Sequence, residues 1–205
     1  MSSPPEMLVQ RTSSRVAQIQ VLTLIWMCVE AAVSLGAAWS ARSPALFGFG
    51  GDSAIELLSA AVVLRHFYLT NGRTHEDRTA KIAGGLLFLL AGSVILASAF
   101  ALLGHIEPRP STLGIVLLVV AAIGMPWLAR QKRRLSVATG SAALRADATE
   151  SAVCGYLALV ALSGLIVNAI WGVEWADPLA ALGLVPLILR EGWEAMKGKP
   201  CCAVK

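Results

Sequence analysis

The chain has 205 residues, of which 56% are hydrophobic and only 15% charged, with a formal net charge of +4. Soluble domains carry about 25% charged and 45–50% apolar residues, so this composition, with a mean hydropathy of +0.67, excludes a soluble enzyme, a disordered chain and a nucleic-acid binder. What remains is a multi-pass helical membrane protein that contacts the lipid bilayer along most of its length.

Residues 1–15 read as a cytosolic N-terminal tail, 16–196 as a transmembrane domain and 197–205 as a short cytosolic C-terminal tail. A spanning helix needs about 20 mostly apolar residues. In chain order the candidates are Val16–Ala41, interrupted only by Glu30, and Ala45–Leu64, interrupted by Asp52 and Glu56. Ile82–Gly104, Pro110–Ala129 and Ser151–Val173 contain no Lys, Arg, Asp or Glu, the last with a helix start expected near Gly140. Ala176–Met196 is the sixth, with Arg190, Glu191 and Glu194 at its end placed to snorkel towards headgroups. Val16–Ala41 is too long for a signal peptide and lacks a small-residue cleavage site.

Six spans with both termini in the cytoplasm put 15 of the 17 basic residues inside, leaving only Arg42 and Arg109 outside. That asymmetry is the one the positive-inside rule describes. Trp39, Trp171 and Trp175 fall at outer ends and Trp127 and Trp193 at inner ends, as interfacial tryptophans do. The basic run Arg130–Arg134 reads as a cytosolic loop, and the basic excess reports topology rather than DNA or RNA binding. The expected location is the plasma (inner) membrane.

Glu30, Asp52, Glu56, Asp147 and Glu150 lie inside predicted helices. Each such acid costs about 2.5–3.5 kcal/mol near a helix centre on insertion scales. Protons or a bound cation must offset charge gathered in this way. Asp52 and Glu56 are four apart and share a helix face; Asp147, Glu150 and Cys154 follow a three-then-four spacing and share another. Two oxygens from one helix with an oxygen and a sulfur from its neighbour suit a four-coordinate divalent ion such as Zn²⁺.

A shift of 98 residues lays Ser43-Pro44-Ala45-Leu46 over Ser141-Ala142-Ala143-Leu144, Asp52 over Glu150, Ser53 over Ser151 and Glu56 over Cys154, with five identities in fourteen positions. The two helices cross in opposite directions, so the match implies an inverted repeat of three helices plus three, with the site between the halves. A rise of 1.5 Å per residue sets Asp52 and Glu150 roughly 13–14 Å in from opposite faces, so that these residues bracket the midplane.

These stretches, with Trp175-Ala176-Asp177-Pro178 and Arg190-Glu191-Gly192-Trp193, resemble the second, fifth and sixth helices of the cation diffusion facilitator transporters. The resemblance covers most of residues 17–196. It implies a six-helix fold, usually a homodimer, that exports divalent metals such as zinc in exchange for protons, the metal being cargo rather than a resident cofactor. Carried over by position, it implies Asp52 and Glu56 as one ligand pair and Glu150 and Cys154 as the other. No histidine stands at these positions, and Cys154 takes the place of the family's final aspartate, so the metal is not inherited from the resemblance. The chain ends nine residues after Met196, without room for the cytosolic metal-binding domain of many relatives.

Of the remaining residues, Asp147 suits a site entrance and Glu30 a gate or proton relay, although a buried acid is also sometimes only a helix contact. Cys28 and, taken alone, Cys154 suit apolar packing. His66, His75 and His105 fall at helix ends or loops, Cys201 and Cys202 in the tail, and Asp177-Pro178 opens a helix. No catalytic motif appears, so an enzyme is not expected. Alternative readings are a non-transporting cation-binding subunit or sensor, and a transporter of another cationic solute.

Overall fold

The computed structural model describes the backbone of residues 4–69, 76–140 and 142–197, with side chains at all of these save 4–15, 17, 59–69, 76–80, 139, 142, 143 and 146. Ser141, His75, Arg73, Lys199, Cys201, Cys202 and Lys205 lie outside the described residues, as do the side chains of Arg11, Arg15, Arg65, His66 and Arg78.

The described chain forms six helices: α1 Pro4–Ala41, α2 Pro44–Leu69, α3 Glu76–Leu102, α4 Thr112–Thr139, α5 Ala142–Trp171 and α6 Ala176–Met196. It is an all-α bundle, and four of its helices are long and apolar enough to cross a membrane: α1, α3, α4 and α5. The spans and turns fall close to where charge-free runs and Gly or Pro punctuation place them. α2 and α3 overrun their expected spans at the end where they join, to Leu69 and from Glu76, and α1 and α4 run further still. α1 extends back to Pro4, because proline is tolerated in a first turn. α4 continues through Arg130–Arg134 to Thr139 and stops only at Gly140, whose φ of 66° makes the left-handed cap. The basic run is therefore helical, not a loop.

The turns joining α1 to α2, α3 to α4 and α5 to α6 meet at one end of the bundle and are hydrogen-bonded together. Arg109 N–H donates to the Ala41 carbonyl at 2.7 Å, and Asn168 Nδ2 donates to the Pro108 carbonyl at 3.1 Å. Asp177, buried in the first turn of α6, accepts from Ser43 Oγ at 2.5 Å and from the Ala45 N–H at 3.1 Å. Ser43 Oγ in turn accepts from the Leu46 N–H. The first N–H groups of a helix have no partner within it, so Asp177 and Ser43 together satisfy the start of α2. The same bonds set α2 and α6 side by side and parallel from a common level.

Small residues bring the helices close, as is usual where the surrounding lipid gives no hydrophobic drive to helix association. α3 and α6 cross at Gly84 and Gly192: a Cβ on Gly84 would stand 2.7 Å from the Gly192 carbonyl oxygen. Leu, Ile and Val cover the outside, with Leu89, Ile123 and Ile170 each more than half exposed. The interior is apolar around Phe49, Leu118, Leu157, Leu165, Leu184 and Ile188. Into it project a buried lysine and several acids.

Candidate functional site: a buried carboxylate cluster

α2 begins at Pro44, so Asp52 and Glu56 come in its third and fourth turns, one above the other on the inward face. Asp52 is 2% exposed and Glu56 is half-buried. The carboxylate that joins them comes from α6, not α5. Oxygens of Asp52, Glu56 and Glu191 all lie within 4.8 Å of one another. Among the described residues Asp52 Oδ1 is buried without a hydrogen-bond partner, a deficit of the kind that a bound proton or cation removes.

Glu191 was expected to snorkel towards the headgroups. Its neighbours do so: Arg190 Nε and Glu194 pair at 2.9 Å on an exposed face, and Lys197 Nζ sits 4.8 Å above the Trp193 ring. Glu191 belongs to a different stripe. Ala181, Leu184 and Ile188 are fully buried, and the next position at helical spacing is Glu191. The sequence signal was that periodicity, hidden by the surrounding charge.

The α5 residues are placed differently. Cys154 is buried and its Sγ lies 3.7 and 3.6 Å from the two carboxylate oxygens of Glu30 on α1. Glu30 is fully buried, so the acid that lacked a partner by sequence spacing has one across the bundle. One turn on, Ser34 Oγ donates back to the Glu30 carbonyl oxygen. Glu150 is solvent-accessible and stands close enough to act electrostatically on Glu56 and Glu191 without joining their cluster.

Below this level Asp147 ties three helices. Its Oδ1 accepts from Lys132 Nζ of α4 at 2.7 Å and its Oδ2 from Gln20 Nε2 of α1 at 2.8 Å. Lys132 is fully buried and also donates to Ser151 Oγ at 2.9 Å. Sequence reasoning read Lys132 as a topology signal and so missed it as an internal cation. The clue was again periodic: Leu118, Ala121, Met125 and Leu128 lead by helical steps to Lys132.

Of the predicted site residues, the structure thus gathers Asp52 and Glu56, adds Glu191, joins Glu30 to Cys154, and turns Asp147 towards Lys132. Six packed helices around converging buried carboxylates, with one oxygen unsatisfied, define a polytopic integral membrane protein with an interior suited to a cation. The family model for the cation efflux transmembrane domain matches residues 21–198, and the chain belongs to that family. Its function class is accordingly the transport of cations across a membrane, which is not an enzymatic one. Comparison with individual curated proteins gives no match.

Proposed function

We propose that the protein exports a divalent metal ion such as Zn²⁺ in exchange for protons, by alternating access about the carboxylates of α2. The observation that carries this reading is the cluster itself: Asp52, buried with its Oδ1 unpartnered, beside Glu56 and Glu191. Three acids held this close are stable only with protons or a cation between them. Exchange of one for the other is then the elementary step of antiport.

The α5 pair, Glu150 and Cys154, completes the ligand set in a second state of the cycle. An inverted repeat supports this. α2 starts at Pro44 and α5 at Ala142, the same offset of 98 that aligns their sequences. Most helix neighbours also pair off under that symmetry: α1 with α2 as α4 with α5, α2 with α3 as α5 with α6, and the halves meet at α1–α4, α2–α5 and α3–α6, whereas among the described residues α2–α6 packs without an equivalent α3–α5 contact. Rocking of one half against the other is the motion such repeats provide. Asp147 is paired with Lys132, and the Cys154 thiol lies against the Glu30 carboxylate. Asp147 and Glu30 are thus entrance and relay groups rather than ligands. Both termini face the cytoplasm of a plasma membrane, and the working unit is a homodimer, as the family resemblance implies.

The test is Zn²⁺ flux into proteoliposomes bearing a pH gradient. Wild-type protein transports, and Asp52→Ala and Glu150→Ala each abolish flux. Transport unaffected by either substitution would contradict the site.

A further inference from the structure

The family resemblance places cation ligands on α2 and α5 only, whereas the carboxylate cluster draws its third acid, Glu191, from α6. Two independent features draw Glu191 into the site. The first is register. Asp177 pins the starts of α2 and α6 at one level. Glu56 then lies about 17 Å beyond Ala45 and Glu191 about 21 Å beyond Asp177, at 1.5 Å per residue along parallel helices. Two glutamate side chains span that difference. The Gly84–Gly192 crossing fixes the rotation of α6, so that Gly192 faces α3 while the adjoining Glu191 reaches α2.

The second is the unsatisfied oxygen. Asp52 Oδ1 has no hydrogen-bond partner although its residue is 98% buried within the cluster, and among the described residues no ion pair reaches Asp52, Glu56 or Glu191. Lys132 is engaged by Asp147 and Ser151, and Arg190 by Glu194. Among the described residues no sulfur or nitrogen ligand belongs to the cluster.

We propose that Glu191 is itself a ligand: in this conformation Asp52, Glu56 and Glu191 hold the transported divalent ion through oxygen alone. The inference rests on the transport reading above and specifies the site of one of its two states. Carboxylates suit Mn²⁺ as well as Zn²⁺, whereas a thiolate favours softer ions. Passing the ion between Glu191 and Cys154 therefore changes the chemistry of its site between the two states.

Mn²⁺ is the probe, with binding to the purified full chain in lipid nanodiscs read from loss of the free-ion electron paramagnetic resonance signal. Glu191→Gln raises the Mn²⁺ Kd at least about tenfold, the scale on which metal sites respond to lost support. Glu191→Asp, which keeps the carboxylate, stays nearer wild type. An unaltered Kd in Glu191→Gln, with wild-type protein binding Mn²⁺ and carrying Zn²⁺, would overturn the ligand assignment alone. So would equal losses in Glu191→Gln and Glu191→Asp accompanied by a lowered Tm, since that pattern marks packing. Wild-type protein that neither binds Mn²⁺ nor carries Zn²⁺ would instead overturn the transport reading on which the inference rests.

Discussion

Lys132 Nζ and Asp147 Oδ1 lie 2.7 Å apart, the lysine side chain wholly buried and the aspartate a quarter exposed. The asymmetry decides which partner is costlier to lose. Asp147→Ala strands an ammonium in the interior with only Ser151 to bond, and removing one partner of a buried pair typically costs about 3–5 kcal/mol. Lys132→Met leaves a carboxylate that still accepts from Gln20 and reaches water. Thermal unfolding in detergent therefore shows a larger loss of Tm for Asp147→Ala than for Lys132→Met. Equal losses would indicate that the lysine finds another counter-ion.

Asp177 makes a separate prediction, distant from the cation cluster. Asp177→Ala leaves the Ala45 N–H and the Ser43 hydroxyl without their acceptor in a buried turn. Each orphaned buried group costs about 1–3 kcal/mol. The variant melts well below wild type, and Asp177→Asn, which keeps one acceptor oxygen, melts between the two. A wild-type Tm for Asp177→Ala would show that the start of α2 is satisfied some other way.

The two adjacent glycines of α3 differ sharply. Gly84 has no room for a methyl group, whereas a Cβ on Gly85 meets nothing within 4 Å. Gly84→Ala forces α3 from α6 and costs about 1–3 kcal/mol, as overpacking usually does. It also shifts Glu191 and so weakens Mn²⁺ binding. Gly85→Ala leaves both properties at wild-type values or gains slightly in helix stability. Identical behaviour of the pair would remove the close crossing from the account.

Proton competition gives a fourth prediction. Metal ligands must be deprotonated to bind, so cation affinity falls as protons occupy the same carboxylates. Mn²⁺ binding weakens as pH is lowered from neutral towards mildly acidic values, and the apparent Kd of wild-type protein rises accordingly. A Kd independent of pH over that range would separate the cation from the carboxylates.

Much of the fold was legible in the sequence because lipid imposes a simple rule on each residue. Charge-free runs had to span, and the few Gly, Pro and Ser breaks had to turn, so all six helices were readable and α2 and α5 could be aligned. The pairing of Asp52 with Glu56 was equally local, since four residues make about one helical turn. The partners across the bundle were not readable in the same way. Glu191 and Lys132 sit one turn from exposed charges, where composition marks an interface. Only the rotation of α6 and α4, set by tertiary packing, turns them inward. Glu30 and Cys154 are 124 residues apart and meet only through the tertiary arrangement of the bundle, which no spacing rule contains.

The central claim is that the buried carboxylates exchange a divalent cation for protons across the membrane. Simultaneous recording of Zn²⁺ uptake and lumenal pH in the same sealed proteoliposomes tests it most directly. Zn²⁺ entry accompanied by proton exit in wild type, with both signals lost in Asp52→Ala, is the predicted result. Zn²⁺ entry with no proton movement, or both signals persisting in Asp52→Ala, would contradict it.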